Sequence, residues 1–519
     1  MTTNKEVLLI AAENGALRGG KVGGVADVVR DLPAALGDHG WNATVVTPAY
    51  GSLHKLPGAT RVATIDVKFA GENESVDIWQ VPGSFSNVRN LVFDHELFAA
   101  NGPGQIYCSD EPDRPYATDA NKFAFLCAAV ADWLIEAHTL PDAIHLHDWH
   151  AAFFCLLRDF SPRHKKLREV RTVFTIHNLS YQGTRPLRDD ESSLETWFPD
   201  LQYDLASVQD LSALNCINPM ATAIRLADKI STVSPTYAKE ICLPSDVATS
   251  FVGGEGLESL LLDATTDGRL LGVLNGCYYD QPTTKPGWPA VLAAMRKQVD
   301  TWREADPLNA AHELAAECLA RQTNARPENL LVSIGRLVSQ KATLFTAMTR
   351  KRIPALEEIA IGLGNRGLLI VLGSGEPKFE QSVLEIARRN ENILFLLGYS
   401  ETLADPLYEI GDLFLMPSSF EPCGISQMLA MRSGLPCVVH GVGGLKDTVD
   451  DEKTGFVFAG KDLQSQATAF VETTSRALSL HRNQTDAWLS ICNRAKQTRF
   501  EWSDSAEVTI NSLYEVDNG

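Results

Sequence analysis

Ser419-Phe420-Glu421-Pro422-Cys423-Gly424-Ile425-Ser426-Gln427 follows the apolar run Leu413-Phe-Leu-Met416 and leads into a helical pattern. A short apolar run bounded by turn residues reads as a buried strand. The stretch is therefore a loop at the carboxyl end of a strand, where open α/β sheets place their ligands. Near the other end of the chain, Val7-Leu-Leu-Ile-Ala-Ala12 precedes Gly19-Gly20-Lys21-Val22-Gly23-Gly24-Val25-Ala26-Asp27, again in the order strand, loop, helix. Two such loops far apart in the chain predict two α/β domains, each supplying one wall of a cleft.

On either side of these stretches, short apolar strands alternate with helical patterns. In the first half they are Ala43-Thr-Val-Val-Thr47, Ala143-Ile-His-Leu-His147, Thr172-Val-Phe-Thr-Ile176 and Lys229-Ile-Ser-Thr-Val233. A second series runs through Leu330-Leu-Val-Ser-Ile334, Gly367 to Gly373, Ile393 to Leu397, Leu413 to Met416 and Pro436 to Val439. This alternation predicts a doubly wound parallel sheet in each half. The segment Ala59 to Phe98 alternates in the manner of antiparallel strands and predicts a side sheet on the first domain. The Pro/Gly-rich stretch Gln281 to Pro289 reads as a surface connection. With 519 residues and a soft prior of roughly 150 residues per domain, the expected division is 1–275, 276–495 and a C-terminal segment 496–519 that packs back on the first domain.

The composition, 45% hydrophobic and 21% charged, is that of a soluble globular chain. The formal net charge of -19, with no basic run denser than Arg163 to Arg171, argues against nucleic acid or an acidic membrane as partner. An anionic ligand would have to be held by local cations and helix N-termini, which singles out Lys21, Arg336 and Lys341. Ten scattered cysteines contain no Cys-x-x-Cys pair, which disfavours a zinc ribbon or a redox dithiol and predicts mostly reduced, buried thiols. The apolar run ending at Ala12 is too short for a signal or membrane helix, so a cytoplasmic location is expected.

Several loops carry side chains suited to chemistry. The glycines from Gly19 to Gly24 let the backbone approach a ligand, Lys21 adds charge and the following helix a dipole, a combination suited to a diphosphate, although an ordinary strand-to-helix turn looks the same. Arg336 and Lys341 can neutralise a departing nucleoside diphosphate, or be solvated surface cations. Glu421 can bind sugar hydroxyls or stabilise charge at an anomeric carbon, or simply cap a helix. His145-Leu-His147-Asp148-Trp149-His150 raises a metal site as an alternative; the favoured reading places Asp148 and Trp149 on the cleft, with a sugar ring resting on the indole. His177 and Asn178 end a strand, within reach of a substrate.

Taken in order, Lys21-Val-Gly-Gly-Val-Ala-Asp27, His147-Asp-Trp-His150, Thr175-Ile-His-Asn-Leu-Ser-Tyr-Gln-Gly183, Thr232-Val-Ser-Pro-Thr-Tyr237, Leu274-Asn-Gly276, Gly335-Arg-Leu-Val-Ser-Gln-Lys341, Glu421-Pro-Cys-Gly424 and Gly443-Gly-Leu-Lys-Asp-Thr-Val449 resemble the motif set of bacterial glycogen synthases and plant starch synthases. The resemblance implies a GT-B fold, two Rossmann-like domains facing a deep cleft, and transfer of glucose from ADP-glucose to an α-1,4-glucan with retention of configuration. It implies no metal and no other cofactor. Carried over by position, Lys21, Gly23 and Gly24 contact the donor, Arg336 and Lys341 its diphosphate, and Glu421 its glucose. Asp148, His177 and Asn178 line the sugar and acceptor site, Asn275 belongs to the binding set, and Cys423, Gly424, Ile425 and Ser426 close around sugar and phosphate. Retention without an obvious second carboxylate fits a same-face route, while a double displacement would need a nucleophile on the opposite face.

The chain departs from the family pattern at Val22, Val25, Cys277, Tyr278 and Ala342. No charged donor contact is lost, but donor base and acceptor stay open. The alternatives are a UDP-glucose-dependent or small-acceptor transferase, a sugar-nucleotide epimerase or hydrolase of the same fold, and an inactive glucan-binding protein. A phosphorylase is disfavoured by the lack of a lysine motif for pyridoxal phosphate.

Overall fold

Val7, Leu8, Leu9 and Ile10 are buried, which is why the first strand is a continuous apolar run and not an alternating one: a central parallel strand is covered on both faces. The computed structural model describes residues 5–137, 140–279 and 286–515. It divides into two compact units, one holding the residues up to Pro244, Gly253–Gly276 and those from Glu501 onward, the other Ser245–Val252 and Cys277–Phe500.

The first unit contains β1 (Lys5–Ile10), β2 (Trp41–Pro48), β3 (Thr60–Phe69), β4 (Glu72–Val81), β5 (Val88–Asp94), β6 (Ala143–His147), β7 (Arg171–Ile176), the short pair β8 (Arg185–Pro186) and β9 (Cys216–Ile217), β10 (Lys229–Thr232) and β11 (Leu270–Gly272). One nine-stranded sheet runs in the order β11-β10-β7-β6-β1-β2-β5-β4-β3. The expected separate side sheet is corrected here. Strand β5 pairs parallel with β2 along one edge and antiparallel with β4 along the other, so the antiparallel strands extend the main sheet. Helices α1 (Gly24–Asp38), α2 (Ala117–Glu136) and α3 (Asp148–Phe160) belong to this unit.

The second unit contains β12 (Asn329–Ile334), β13 (Gly367–Gly373), β14 (Ile393–Leu397), β15 (Leu413–Met416), β16 (Cys437–His440) and β17 (Phe456–Phe458), all parallel, in the order β14-β13-β12-β15-β16-β17. Alternate residues feed opposite cores: Leu331, Leu369, Val371, Leu413 and Leu415 lie in one, and Leu330, Val332, Ile370, Phe414 and Met416 in the other. Both sheets carry the doubly wound order, in which the winding reverses between the first strand and the fourth. Those reversal points lie between β1 and β6 in the first unit and between β12 and β15 in the second.

Ser245–Val252 departs from the expectation of one uninterrupted domain over 1–275. Gln466 Nε2 donates to Thr249 O at 2.9 Å, tying that segment to the long helix Leu463–Asn483 of the second unit. The α-helix Trp502–Thr509 and the π-helix Ile510–Tyr514 after it pack in the first unit. Ser505 Oγ donates to Leu274 O at 2.6 Å and Arg171 Nε to Leu513 O at 3.0 Å. Of the connection expected at Gln281 to Pro289, residues 281–285 lie outside the described residues. Pro289 instead stands in the first turn of the helix Trp288–Ala305, where its missing N–H costs nothing. Among the described residues no helix is long and apolar enough to cross a membrane, and none of the ten cysteines is in a disulfide.

Candidate functional site

In the second unit the loops after β12 and β15 meet at the reversal point. Ser419 N donates to Gln340 O at 2.8 Å, which pins one loop to the other. Lys341, at the start of the helix Ser339–Thr346, extends its Nζ to 3.1 Å from Glu421 Oε2. The same carboxylate oxygen accepts from Ser418 Oγ at 3.1 Å, and His440 Nδ1 lies 3.2 Å from Ser418 O. Glu421 is buried while Lys341 is partly exposed, so the pair offsets the cost of burying the carboxylate. Arg336 lines the same small recess as Lys341 and Ser418. It is exposed, and among the described residues it makes no ion pair.

Cys423 is buried. Its carbonyl and that of Gly424 accept from Gln427 Nε2 at 3.1 and 3.0 Å. Gly424 takes φ +78, the left-handed turn that lets the chain enter the helix starting at Ser426. Ile425 precedes that helix and Ser426 opens it. Behind Glu421, Gly443 adopts φ +45, and a Cβ there would stand 2.0 Å from the Glu421 carbonyl oxygen. Gly444 N donates to the same carbonyl at 3.2 Å. The structure thus brings together Arg336, Lys341, Glu421 and the residues from Cys423 to Ser426.

In the first unit the glycine loop differs from its expected use. The amides of Val22 and Gly23, expected to face a diphosphate, both donate to Glu13 Oε2 at 2.6 Å. Tyr107 Oη donates to the other oxygen at 2.7 Å. A buried carboxylate therefore stands at the start of α1, where the unpaired amides and the helix dipole favour an anion. Lys21 is exposed and its Nζ lies 2.7 Å from Asp27 Oδ1, which Arg30 also approaches at 3.2 Å. Gly23 is half-buried and Gly24 exposed.

Asp148 follows β6 directly, with φ +57, a left-handed conformation that costs a non-glycine residue about 1–3 kcal/mol unless its surroundings hold it. They do so through Oδ1, which accepts from His177 N at 2.7 Å and Asn178 N at 3.4 Å. Asn178 Oδ1 in turn accepts from Ser180 N at 3.0 Å. Burial pushes the Asp148 carboxyl up to about 7 against the pull of the His177 and Asn178 amides, and the Glu13 carboxylate adds to the rise. His177 Nε2 lies 2.9 Å from His147 Nδ1. Burial drives His145, His150 and His177 down to about 3 and holds His147 well below its ordinary value, so all four imidazoles are neutral.

Trp149 does not serve as a sugar platform. It is buried against Tyr116, Phe123 and His150, and Gly183 lies so close that a Cβ there would stand 2.1 Å from the indole. His145 and His147 stack at 4.4 Å, with rings 24° apart, so their nitrogens do not converge on one point. Among the described residues no group of three His, Cys, Asp or Glu side chains is placed to hold a metal ion. Asn275 lines a recess with His145, His147 and Trp502.

Both units match known protein families. Residues 6–263 match the starch synthase catalytic domain, and residues 319–484 match glycosyl transferases group 1. A glycogen synthase of Anaeromyxobacter sp. is 32% identical, with 98% of each chain covered. The chain belongs to the glycogen and starch synthase family. A glycogen synthase of Desulfitobacterium hafniense is also 32% identical, over 94% of each chain. The catalytic domain of starch synthase IV from Arabidopsis thaliana, bound to ADP and acarbose, superposes with a TM-score of 0.76 at 28% identity, covering 98% of this chain and 99% of that one. Sucrose-phosphate synthase from Thermosynechococcus elongatus shares the fold at 16% identity, with a TM-score of 0.53. This glycogen and starch synthase relative is thus a glycosyltransferase of GT-B fold.

Within that family frame, three residues of the site escape a reading of the sequence. Glu13 closes a strand like any polar terminator, and only the fold turns its carboxylate onto amides nine and ten residues further on. Tyr107 and Ser418 sit in no motif. The one available signal is positional: Glu13 and Ser418 each follow a strand that borders a reversal point.

Proposed function

We propose that this glucan-elongating glucosyltransferase takes glucose from ADP-glucose and adds it to the 4-hydroxyl at the nonreducing end of an α-1,4-glucan, with retention of configuration. The observation that carries the reading is the Lys341–Glu421 pair with Arg336 on the same recess. Two cations beside a carboxylate fit a diphosphate leaving group next to a sugar that gains positive charge at its anomeric carbon. In this reading Arg336 and Lys341 receive the diphosphate, Glu421 holds the donor glucose, and Cys423 to Ser426 close around sugar and phosphate. Asp148, with Oδ2 making no hydrogen bond to the described residues, and His177 and Asn178 contact sugar and acceptor hydroxyls. Lys21, Gly23, Gly24 and Asn275 complete the binding set. The ADP in the Arabidopsis starch synthase supports adenine as the donor base.

The two cations take the part that a divalent metal plays in metal-dependent transferases, so turnover should survive a chelator. The location that fits is the cytoplasm, where sugar nucleotides are made. The test is glucose incorporation into glycogen from ADP-glucose and UDP-glucose in parallel, with nucleoside diphosphate release followed with and without glucan. Glucan-dependent transfer from ADP-glucose is expected. Faster transfer from UDP-glucose would reassign the donor, and donor cleavage without transfer would point to a small acceptor or to the epimerase and hydrolase class.

A further inference from the structure

Three strands of the first unit, β6, β7 and β10, carry a lateral row of polar side chains. His145 Nδ1 lies 2.7 Å from Tyr514 Oη and its Nε2 2.6 Å from Thr175 Oγ1, which is 2.5 Å from Ser231 Oγ. Both nitrogens of His145 are thereby engaged. His147 differs. Its Nδ1 meets His177 Nε2 at 2.9 Å, but its Nε2 is buried without a partner. Trp502, at the start of the helix Trp502–Thr509, has its Nε1 in the same condition. Both residues line one recess of about 20 Å³, together with the hydroxyl-bearing Ser231, Thr232, Ser505 and Thr509. A polar recess holds a water once it offers roughly 10–15 Å³ and two or more polar partners.

We propose that His147 and Trp502 hold a single buried water that fixes His177 as the tautomer protonated on Nδ1, which makes Trp502 a positioning residue for that imidazole. The indole can only donate, which leaves both protons of the water for acceptors, and the proposal gives one of them to His147 Nε2. The water accepts from Trp502 Nε1–H and donates to His147 Nε2. His147 then carries its proton on Nδ1 and donates it to His177 Nε2. His177 in turn carries its proton on Nδ1, where no described residue pairs with it. The imidazole therefore offers a donor to a hydroxyl or phosphate oxygen. Reversing the row would leave an acceptor there instead. Burial keeps both rings neutral, so the row transmits the placement of a proton and not a charge.

The inference rests on the reading of His177 as a residue that meets substrate, and the experiment separates the two. The full chain labelled with ¹⁵N-histidine reports each tautomer through two-bond ¹H–¹⁵N correlations, with His147 and His177 assigned by single His→Gln variants. The expected wild-type result is His177 protonated on Nδ1. Trp502→Phe keeps an aromatic ring but removes the N–H. It should shift His177 toward Nε2 protonation and lower kcat about tenfold, as for one lost hydrogen bond, with the donor KM unchanged. Tyr514→Phe loosens the same C-terminal segment at His145 and should leave the His177 tautomer as it was. A wild-type His177 protonated on Nε2, or a Trp502→Phe chain with both tautomer and kcat unaltered, overturns the proposal. Normal turnover by His177→Ala would overturn the placement of His177 at the substrate, while the tautomer measurement would still decide the water.

Discussion

The ammonium of Lys341 stands 3.1 Å from the carboxylate of Glu421, across two loops that follow adjacent parallel strands. Neither residue is paired for stability alone, because Lys341 keeps about a quarter of its side chain exposed, at 23%, while Glu421 is held at 7%. A buried carboxylate whose cation faces outward is poised to share that cation with an incoming anion.

Lys341→Ala should therefore cost on two scales. Turnover should fall about a hundredfold or more, as when a preorganised charge is removed from a transition state. Stability should fall by about 1–3 kcal/mol, because among the described residues the Glu421 carboxylate keeps only Ser418 as partner. Steady-state rates and urea melts of Lys341→Ala, Glu421→Gln and the double variant form the check; strictly additive losses would show that the pair acts as two independent groups.

Gly443 tests whether the position of Glu421 matters as much as its charge. The added methyl of Gly443→Ala would press on the Glu421 carbonyl from 2.0 Å, at a φ of +45 that alanine resists. The expected outcome is a loss of about a hundredfold in kcat, the scale of an ångström of misplacement, with a circular dichroism spectrum like the wild type. Unchanged kcat would mean that the loop absorbs the shift.

Glu13 occupies amides that a diphosphate could otherwise use. Glu13→Ala should lower the urea midpoint, since it orphans two amides and the Tyr107 hydroxyl, and should weaken ADP binding by disordering the loop around Lys21. Calorimetric titration with ADP decides between two roles: weaker binding makes Glu13 the brace of the loop, and tighter binding makes it a competitor for the phosphate.

The strands were legible because buried parallel strands are continuous apolar runs, and Leu413–Met416 and Val7–Ile10 fit no other element as well. The position of Glu421 after such a run puts it at a strand's carboxyl end on the sequence alone. Trp149 was not legible. At the start of α3 the sequence says which residue follows the strand but not which side of the sheet its indole takes, and Gly183 decides that from a different loop. The glycine loop misled for a related reason: a pattern shows that amides are available, not that Glu13 already takes two of them. Tyr514 lies 369 residues from the histidine it meets, beyond any local pattern.

The pH dependence of stability isolates Asp148. Its carboxyl is raised to about 7 from an ordinary value near 3.8, with burial as the main cause. Between those values the folded chain holds a proton that the unfolded chain has released, so this group's contribution to stability is full below pH 4 and is lost as pH rises through 7. The neutral buried histidines act in the opposite sense, their contribution being lost as pH falls below about 6.5. Wild type alone therefore mixes two slopes, and the difference between wild type and Asp148→Asn removes the histidine part. The side-chain amide that Asp148→Asn introduces can still accept from the His177 N–H but does not titrate. Relative to wild type, the variant should gain stability from pH 5 to pH 7, by up to about 1.4 kcal/mol per unit, and hold that gain above pH 8. Urea melts of both chains at pH 5, 6, 7 and 8 measure it. A flat difference across the series would place the Asp148 carboxyl in its ordinary range and remove burial as the force acting on it.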